Sequence, residues 1–215
     1  MNKAVIFDLD GTLLDTLTDI ADNVNLALVK FGFPEREYSE IRSFIGNGAR
    51  KLIERSLGEG VSEQTVQECL DYYNDIYTNS GSPKTKLFQG VKEMLSTLKH
   101  KGYKIGILTN KPQITTEDVY ITYLQEFEFD KVVGQSANVK CKPDKDAVLW
   151  ILKDLDVLPE NSFFVGDGET DAMLAINANM HGISALWGYR DKELLQSYGA
   201  KIFAKTPLEV LDLVK

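Results

Sequence analysis

The sequence has few of the residues that build zinc sites, disulfide frameworks or membrane spans. Only two cysteines and two histidines occur among its 215 residues. Cys69 and Cys141 are far apart and show no CxxC or Cys/His spacing, which argues against a zinc site and favours a reducing compartment. The apolar run before Asp8 is too short for a signal peptide or a membrane span. We therefore expect a cytoplasmic protein.

Positive charge is also scarce. Lysine and arginine total 24 against 32 aspartate and glutamate residues, a formal net charge of −8. A surface of this sign repels nucleic acid and anionic membranes, so we expect neither as a partner. With 43% hydrophobic and 26% charged residues, the composition is that of an ordinary globular protein, which we expect to be a monomer or a homodimer.

Short apolar, β-branched segments alternate with segments of helical periodicity through most of the chain. Such alternation predicts right-handed βαβ crossovers and an α/β fold with a Rossmann-like open parallel sheet. Ligands of these folds bind beyond the carboxyl ends of the strands. The predicted strands cover residues 3–8, 103–110, 129–134, 162–168 and 181–187.

One long segment breaks this alternation. Residues 17–82 have helical periodicity throughout and contain no convincing strand. Threonine-rich TLLDTLT precedes the segment and GSPKT ends it, and both stretches suit a paired hinge. We therefore predict an inserted all-helical cap subdomain at 17–82 and an α/β core at 1–16 and 83–215.

Aspartates follow two of the predicted strands. Asp8 and Asp10 lie in DLDGT, and Asp167 and Asp171 lie in GDGETD. Because the carboxyl ends of parallel strands meet at one sheet edge, we expect these carboxylates to share a site. Two such charges 4 Å apart repel by about 4 kcal/mol at an effective dielectric near 20. An oxygen-only ligand set without histidine or cysteine suits Mg²⁺, which we predict as the cofactor.

The spacing within DLDGT suggests different tasks for its two aspartates. Asp8 and Asp10 are two positions apart, but Gly11 lets the chain turn and separate their directions. A carboxylate that faces an electrophilic phosphorus is a nucleophile. A neighbouring carboxyl can serve as a general acid and then as a general base.

Four motifs together resemble those of the haloacid dehalogenase superfamily, in particular its phosphoglycolate phosphatase-like branch. The resemblance covers essentially the whole chain, and the helical insertion falls where the family carries its cap. Gly168 departs from the serine that close relatives often show. In chain order the motifs are DLDGT, LTN with Thr109, KPD with Lys142, and GDGETD.

The resemblance implies a Mg²⁺-dependent phosphatase acting on a small phosphorylated metabolite, with phosphoglycolate as the leading substrate. Asp8 would attack phosphorus to form an aspartyl-phosphate, and Asp10 would protonate the leaving oxygen and then activate water. The implied metal site comprises Asp8, the backbone carbonyl of Asp10, Asp167 and Asp171. The implied phosphate-binding positions are Gly11, Thr109, the Asn110 amide and Lys142.

In the predicted cap, the segment FIGNGARKL joins a glycine-rich turn to a basic helix start. Backbone amides at such a turn can bind an anion, so Asn47 and Arg50 are candidate substrate contacts. An ordinary turn followed by a basic helix face explains the same residues.

Other functions stay open. Within the same family the chain is compatible with a phosphomutase of the β-phosphoglucomutase kind, an inorganic pyrophosphatase or a nucleotidase. A phospho-accepting signalling module also gathers aspartates, a threonine and a lysine at strand ends, but it lacks DxDGT and an insertion of this size. Outside any phosphate site, Lys142 would be a solvent-exposed lysine, Thr109 a strand terminator and Asn110 a helix cap.

Overall fold

The computed structural model describes residues 2–214 and contains a six-stranded parallel sheet. The strands of this sheet are β1 (Ala4–Phe7), β4 (Lys104–Pro112), β5 (Lys131–Gln135), β6 (Ser162–Gly166), β7 (His181–Ala185) and β8 (Phe203–Ala204). Their spatial order is β5-β4-β1-β6-β7-β8. Two further short strands, β2 (Leu14–Asp15) and β3 (Lys86–Leu87), pair antiparallel. The predicted α/β fold with a parallel sheet is confirmed.

Helices cover both faces of the sheet and form a separate helical segment. The segment between β2 and β3 consists of α1 (Leu17–Lys30), α2 (Tyr38–Phe44), α3 (Ala49–Leu57) and α4 (Glu63–Asn79). The remaining helices are α5 (Val91–His100), α6 (Gln113–Tyr123), α7 (Asp146–Asp154), α8 (Glu169–Asn177), α9 (Lys192–Ser197) and α10 (Val210–Leu213). None of the helices in residues 2–214 is long and apolar enough to cross a bilayer.

Strand β1 lies at the centre of the sheet because its side chains are apolar on both faces. Val5 and Phe7 belong to one apolar cluster, and Ala4 and Ile6 belong to another on the opposite face. All four are fully buried, as the continuous apolar run predicted. This strand therefore fixes Asp8, the next residue, at the carboxyl edge of the sheet.

Helices α1 to α4 form the helical insert, which has an apolar cluster of its own. Leu28, Ile41, Ile53 and Cys69 are fully buried members of that cluster. The β2–β3 ladder closes the base of the insert, where the chain leaves the sheet and returns to it. The predicted boundaries at residues 16/17 and 82/83 stay predictions, and the predicted core range includes Met1 and Lys215, which lie outside the described residues.

Candidate functional site

Three carboxylates meet at the carboxyl edge of the sheet. Asp8 follows β1, Asp167 follows the adjacent strand β6, and Asp171 lies in the first turn of α8. One oxygen from each lies within 4.8 Å of the others, and all three side chains are buried. The parallel pairing of β1 with β6 explains the proximity of Asp8 and Asp167, because it aligns Phe7 with Val165 and so brings both strands to an end together.

A buried lysine neutralises part of this acidic cluster. The Lys142 ammonium lies 2.7 Å from Asp8 Oδ1 and 2.7 Å from Asp171 Oδ1. Burial opposes the charge of Lys142, but the carboxylates of Asp171 and Asp8 hold its pKa above the ordinary value. Three ionised carboxylates against one ammonium would leave two negative charges in a buried site. This imbalance suits a divalent cation, and the oxygen donors suit a hard one.

The pKa values of the clustered carboxylates also favour a bound cation. Burial raises the pKa of Asp8 to about 8 even though Lys142 lowers it. Burial and the neighbouring Asp171 carboxylate raise the pKa of Asp167 to about 6. The protein alone therefore disfavours full ionisation of the carboxylates that a metal ion requires as ligands.

Asp167 is held in place by residues from two other segments. The Tyr189 amide donates to its Oδ2 at 2.7 Å, and the Thr12 hydroxyl donates to its Oδ1 at 3.0 Å. Gly11 lies so close that an added Cβ would be 2.4 Å from Asp167 Oδ2. The Gly11 amide donates to the Leu14 carbonyl at 2.8 Å. Gly11 thus contributes close approach to the acidic cluster, and its predicted contact with phosphate stays a prediction.

The Asp10 side chain is not a member of the acidic cluster and pairs with Lys111. The Lys111 ammonium lies 3.2 Å from both Asp10 oxygens and 3.0 Å from the hydroxyl of Tyr77 on α4. Burial opposes the charge of Lys111, but Asp10 and Tyr77 hold its pKa above the ordinary value. The sequence pattern assigned no role to Lys111. The sequence did hold a signal for Lys111: it lies two residues after Thr109 on a strand, and side chains two positions apart on a strand share one face of the sheet.

Asn110 connects the core with the helical insert. Its side-chain nitrogen donates to the carbonyls of Gly46 at 2.9 Å and Lys142 at 3.2 Å. Its side-chain oxygen accepts from the Lys142 amide at 2.7 Å. The neighbouring Thr109 is buried, and its hydroxyl oxygen accepts from the Lys111 amide at 3.3 Å. Three segments of the site therefore meet at one asparagine side chain.

A cleft separates the carboxyl edge of the sheet from the helical insert, and both sides contribute to its lining. Lys111 is the one cation among its lining residues, as far as residues 2–214 are described. The insert contributes an apolar and aromatic wall: Ile20, Ile45, Leu52, Tyr73 and Tyr77. The core contributes polar groups: Asp8, Asp10, Thr109, Asn110, Lys111 and Thr115.

The structure does not bring the two predicted insert contacts, Asn47 and Arg50, to this cleft. The Arg50 guanidinium forms ion pairs with Glu54 and Glu63 on the surface of the insert. The Asn47 side-chain oxygen accepts from Arg55 at 2.6 Å. Carboxylates on α3 and α4 attract Arg50 outward, so the backbone of the glycine-rich turn lies at the cleft and its basic side chain does not.

A further contact between core and insert was absent from the sequence predictions. Arg190, in the loop after β7, donates to the backbone carbonyls of Arg42 at 2.7 Å, Ser43 at 3.1 Å and Ile45 at 2.5 Å. It also pairs with Glu169 at 3.0 Å. The C-terminal carbonyls of α2 thereby find donors on the core, a partnership that no local sequence pattern reveals.

Comparisons with known proteins agree with this geometry. The sequence profile described as haloacid dehalogenase-like hydrolase matches residues 5–185. Phosphoglycolate phosphatase 1 of Pseudomonas aeruginosa is 30% identical over 98% of this chain and 76% of its own length. Phosphoglycolate phosphatase of Psychrobacter arcticus is 31% identical over 98% of this chain and 91% of its own length.

Solved structures give the same result. A structure from Lactobacillus delbrueckii subsp. bulgaricus superposes with a TM-score of 0.93 at 26% identity, covering 100% of this chain and 99% of that one. A haloacid dehalogenase-like family hydrolase from Streptococcus pneumoniae superposes with a TM-score of 0.88 at 25% identity, covering 100% of this chain and 99% of that one. The chain belongs to the haloacid dehalogenase-like hydrolase family.

Proposed function

We propose that this chain is a Mg²⁺-dependent phosphatase that hydrolyses a small phosphomonoester through an aspartyl-phosphate, with phosphoglycolate as the leading substrate. The observation that carries the proposal is the position of Asp8 between two chemical environments. It belongs to the buried acidic cluster with Lys142, and it lines the cleft that also holds Asp10. The names of the relatives in Pseudomonas aeruginosa and Psychrobacter arcticus support the choice of substrate.

The chemistry divides between the two aspartates. A carboxylate oxygen of Asp8 bonds to phosphorus while the bond from phosphorus to the leaving oxygen breaks, and Asp10 gives that oxygen a proton. Asp10, now a carboxylate, then takes a proton from water as the water oxygen attacks the same phosphorus. The bond between Asp8 and phosphorus breaks, and phosphate leaves. Both carboxyl groups thus return to their starting states.

The acidic cluster fits a magnesium ion. Asp8 and Asp167, the backbone carbonyl of Asp10 and, directly or through water, Asp171 would hold it. Bound there, Mg²⁺ would supply charge that offsets the phosphoryl oxygens and keeps the carboxylates ionised. The fit rests on the oxygen-only donors and on the two negative charges that Lys142 leaves uncompensated.

The phosphoryl group itself requires donors, because its three oxygens carry charge throughout the transfer. We assign this task to Thr109, the Asn110 amide and Lys142, with Gly11 at the turn beside them. All three residues are buried. Thr109 and Asn110 lie in β4 beside β1, and the Lys142 ammonium contacts Asp8, so their donors are preorganised in a buried site, where they act most strongly.

The helical insert is proposed to act as a cap over the reaction. Residues 17–82 would form the cap and residues 1–16 and 83–215 the catalytic core. The insert contributes the apolar wall of the cleft, and Gly46 in the insert bonds to Asn110 in the core. A cap that closes on substrate excludes water that would compete for the phosphoryl group.

Phosphate release from a panel of compounds tests the proposal. The purified protein with Mg²⁺ is expected to release phosphate from phosphoglycolate faster than from pyrophosphate, nucleotides or sugar phosphates. Chelation with EDTA is expected to stop the release. Isomerisation of a sugar phosphate without net release would support the phosphomutase alternative, and stable phosphorylation without turnover would support a signalling module.

The variant Asp8→Asn provides the mechanistic test. The asparagine has nearly the same shape as the aspartate but cannot form the acyl phosphate, so turnover should fall to background while the fold persists. Circular dichroism checks the fold. Substantial residual hydrolysis by a folded Asp8→Asn protein would refute Asp8 as the nucleophile.

A further inference from the structure

Lys111 differs from the other buried lysine of the site in what surrounds it. Lys142 contacts two carboxylates of the acidic cluster at 2.7 Å and is not among the residues that line the cleft. Lys111 lines the cleft, although only 5% of its side chain is exposed. The two ammonium groups therefore have different surroundings: Lys142 contacts the acidic cluster, and Lys111 contacts Asp10 and the insert.

The contacts of Lys111 leave it available for a further anion. Its ammonium lies 3.2 Å from each Asp10 oxygen, whereas charge-assisted N–H···O bonds usually measure about 2.7 to 2.9 Å. Its other hydrogen-bond partner in residues 2–214, the Tyr77 hydroxyl, is neutral. A second anion in the cleft would add a charge-assisted contact to an ammonium that has one carboxylate partner, and that at a long distance.

The position of Lys111 also matches the path of the leaving group. Asp8 reacts with phosphorus and Asp10 protonates the leaving oxygen, so the group attached to that oxygen lies on the Asp10 side of the cleft. Lys111 contacts Asp10 on that side, and Tyr77 continues the wall. Apart from Asn74 and the glycines of the turn, the rest of the insert wall is apolar or aromatic. Lys111 is the one cation among the described lining residues, so an anionic leaving group would find its cation there.

We propose that Lys111 determines substrate specificity by binding a carboxylate on the leaving group of the phosphomonoester. The proposal rests on the proposed phosphatase function and names the substrate class within it. Phosphoglycolate carries its carboxylate one methylene away from the ester oxygen, which suits a cation in contact with Asp10. The hydroxyl of Tyr77 on the insert contacts the Lys111 ammonium. The proposed binding site for the leaving group therefore includes one residue from the core and one from the insert.

Two substrates that differ only in this group provide the test. Hydroxyethyl phosphate replaces the carboxylate of phosphoglycolate with an uncharged hydroxymethyl group and keeps a similar leaving alcohol. The quantity to measure is the ratio of kcat/KM for phosphoglycolate to kcat/KM for hydroxyethyl phosphate. For the wild-type protein this ratio is expected to exceed about 10, as a charge-assisted hydrogen bond predicts.

Lys111→Met removes the ammonium and keeps the length of the side chain. This variant is expected to lower the ratio by roughly 10-fold to 150-fold, the range that loss of a charge-assisted hydrogen bond predicts. Lys140→Met is the matched control, because Lys140 is an exposed lysine that pairs with Asp144 and Asp146 away from the cleft. Its ratio should equal that of the wild-type protein.

Two results would overturn the proposal. A ratio unchanged in folded Lys111→Met would refute it, and an equal loss on both substrates in that variant would mean that Lys111 acts only by positioning Asp10. A wild-type ratio near one would refute carboxylate recognition even if the variant failed to fold. In each case phosphate release by the wild-type protein would leave the proposed phosphatase function intact, whereas no release from any phosphomonoester would refute that function.

Discussion

The Asn110 side chain accepts the Lys142 amide at 2.7 Å and donates to the Gly46 carbonyl at 2.9 Å, so one amide group joins two core segments to the helical insert. Asn110 is buried, and each of these backbone partners would lose a hydrogen bond if the side chain were removed. The asparagine is therefore a structural tie between the lysine that contacts Asp8 and the turn that lines the cleft.

Asn110→Ala should weaken both stability and catalysis. Buried donors and acceptors left without partners cost about 1 to 3 kcal/mol, so the free energy of unfolding should fall by that amount. The value of kcat/KM should fall as well, because Lys142 and the Gly46 turn lose the hydrogen bonds that they share through Asn110.

Chemical denaturation and phosphate release measure the two effects. Asn177→Ala, which removes one exposed bond to the Pro143 carbonyl, is the control and should cost less than about 1 kcal/mol. Equal losses in both variants would contradict the role of Asn110 as a tie.

Asp10→Asn should slow turnover without preventing formation of the cleft. General acid and base catalysis contributes roughly 10² to 10⁴ in rate, so kcat should fall by a factor in that range. The loss in kcat/KM, which covers the steps up to departure of the leaving group, should be smaller for p-nitrophenyl phosphate, because its leaving group departs without a proton. Steady-state kinetics with the two kinds of leaving group distinguish this role from a general disturbance of the site, which would slow both substrates alike.

Magnesium should stabilise the protein more at high pH than at low pH. Without the ion, the folded-state pKa values of Asp8 and Asp167 are raised from 3.8 to about 8 and about 6. The folded protein then holds protons that the unfolded chain releases, so its free energy of unfolding falls as the pH rises from about 4 through these values. Mg²⁺ offsets this fall because it favours the ionised carboxylates.

The measurement is thermal unfolding with Mg²⁺ and with EDTA. The increase in Tm on adding Mg²⁺ should be small near about pH 5 and larger near about pH 9. Sodium chloride at matched ionic strength controls for screening of surface charge. A Tm increase that stays constant across this range would contradict metal binding to carboxylates with raised pKa values.

Sequence reasoning located most accurately the site residues that lie at the ends of strands. Asp8 and Asp167 could be located because parallel pairing brings the ends of neighbouring strands together. The fold class and the family followed from the same alternation and motifs, and both are confirmed. Strand β8 and the ladder of β2 with β3 were missed, because strands of two residues are too short to show a period.

Contacts between the insert and the core could not be found from sequence. Tyr77 lies 34 positions before its partner Lys111, and only the packing of α4 over the sheet decides that they meet. Arg190 reaches Ile45 across 145 positions from a loop without periodicity. The surface position of Arg50, where nearby glutamates attract it, was likewise not visible in the sequence, and its predicted contact with substrate stays a prediction. Tertiary packing therefore determines which side chains complete the cleft.

Gly11→Ala should damage the acidic cluster through steric overlap. Gly11 has a φ of +84°, and an added Cβ would lie 2.4 Å from Asp167 Oδ2, well inside van der Waals contact. Asp167 or the Gly11 turn must then shift, so both metal-dependent turnover and the Tm increase with Mg²⁺ should be lost. Gly32→Ala separates this effect from backbone strain, because Gly32 has a φ of +78° and its added Cβ would meet nothing within 4 Å. Both variants should lose about 1 kcal/mol or more from the left-handed backbone conformation, and Gly32→Ala should keep full activity and the full response to Mg²⁺. Equal activity in the two variants would show that the close approach of Gly11 to Asp167 is not required for the site.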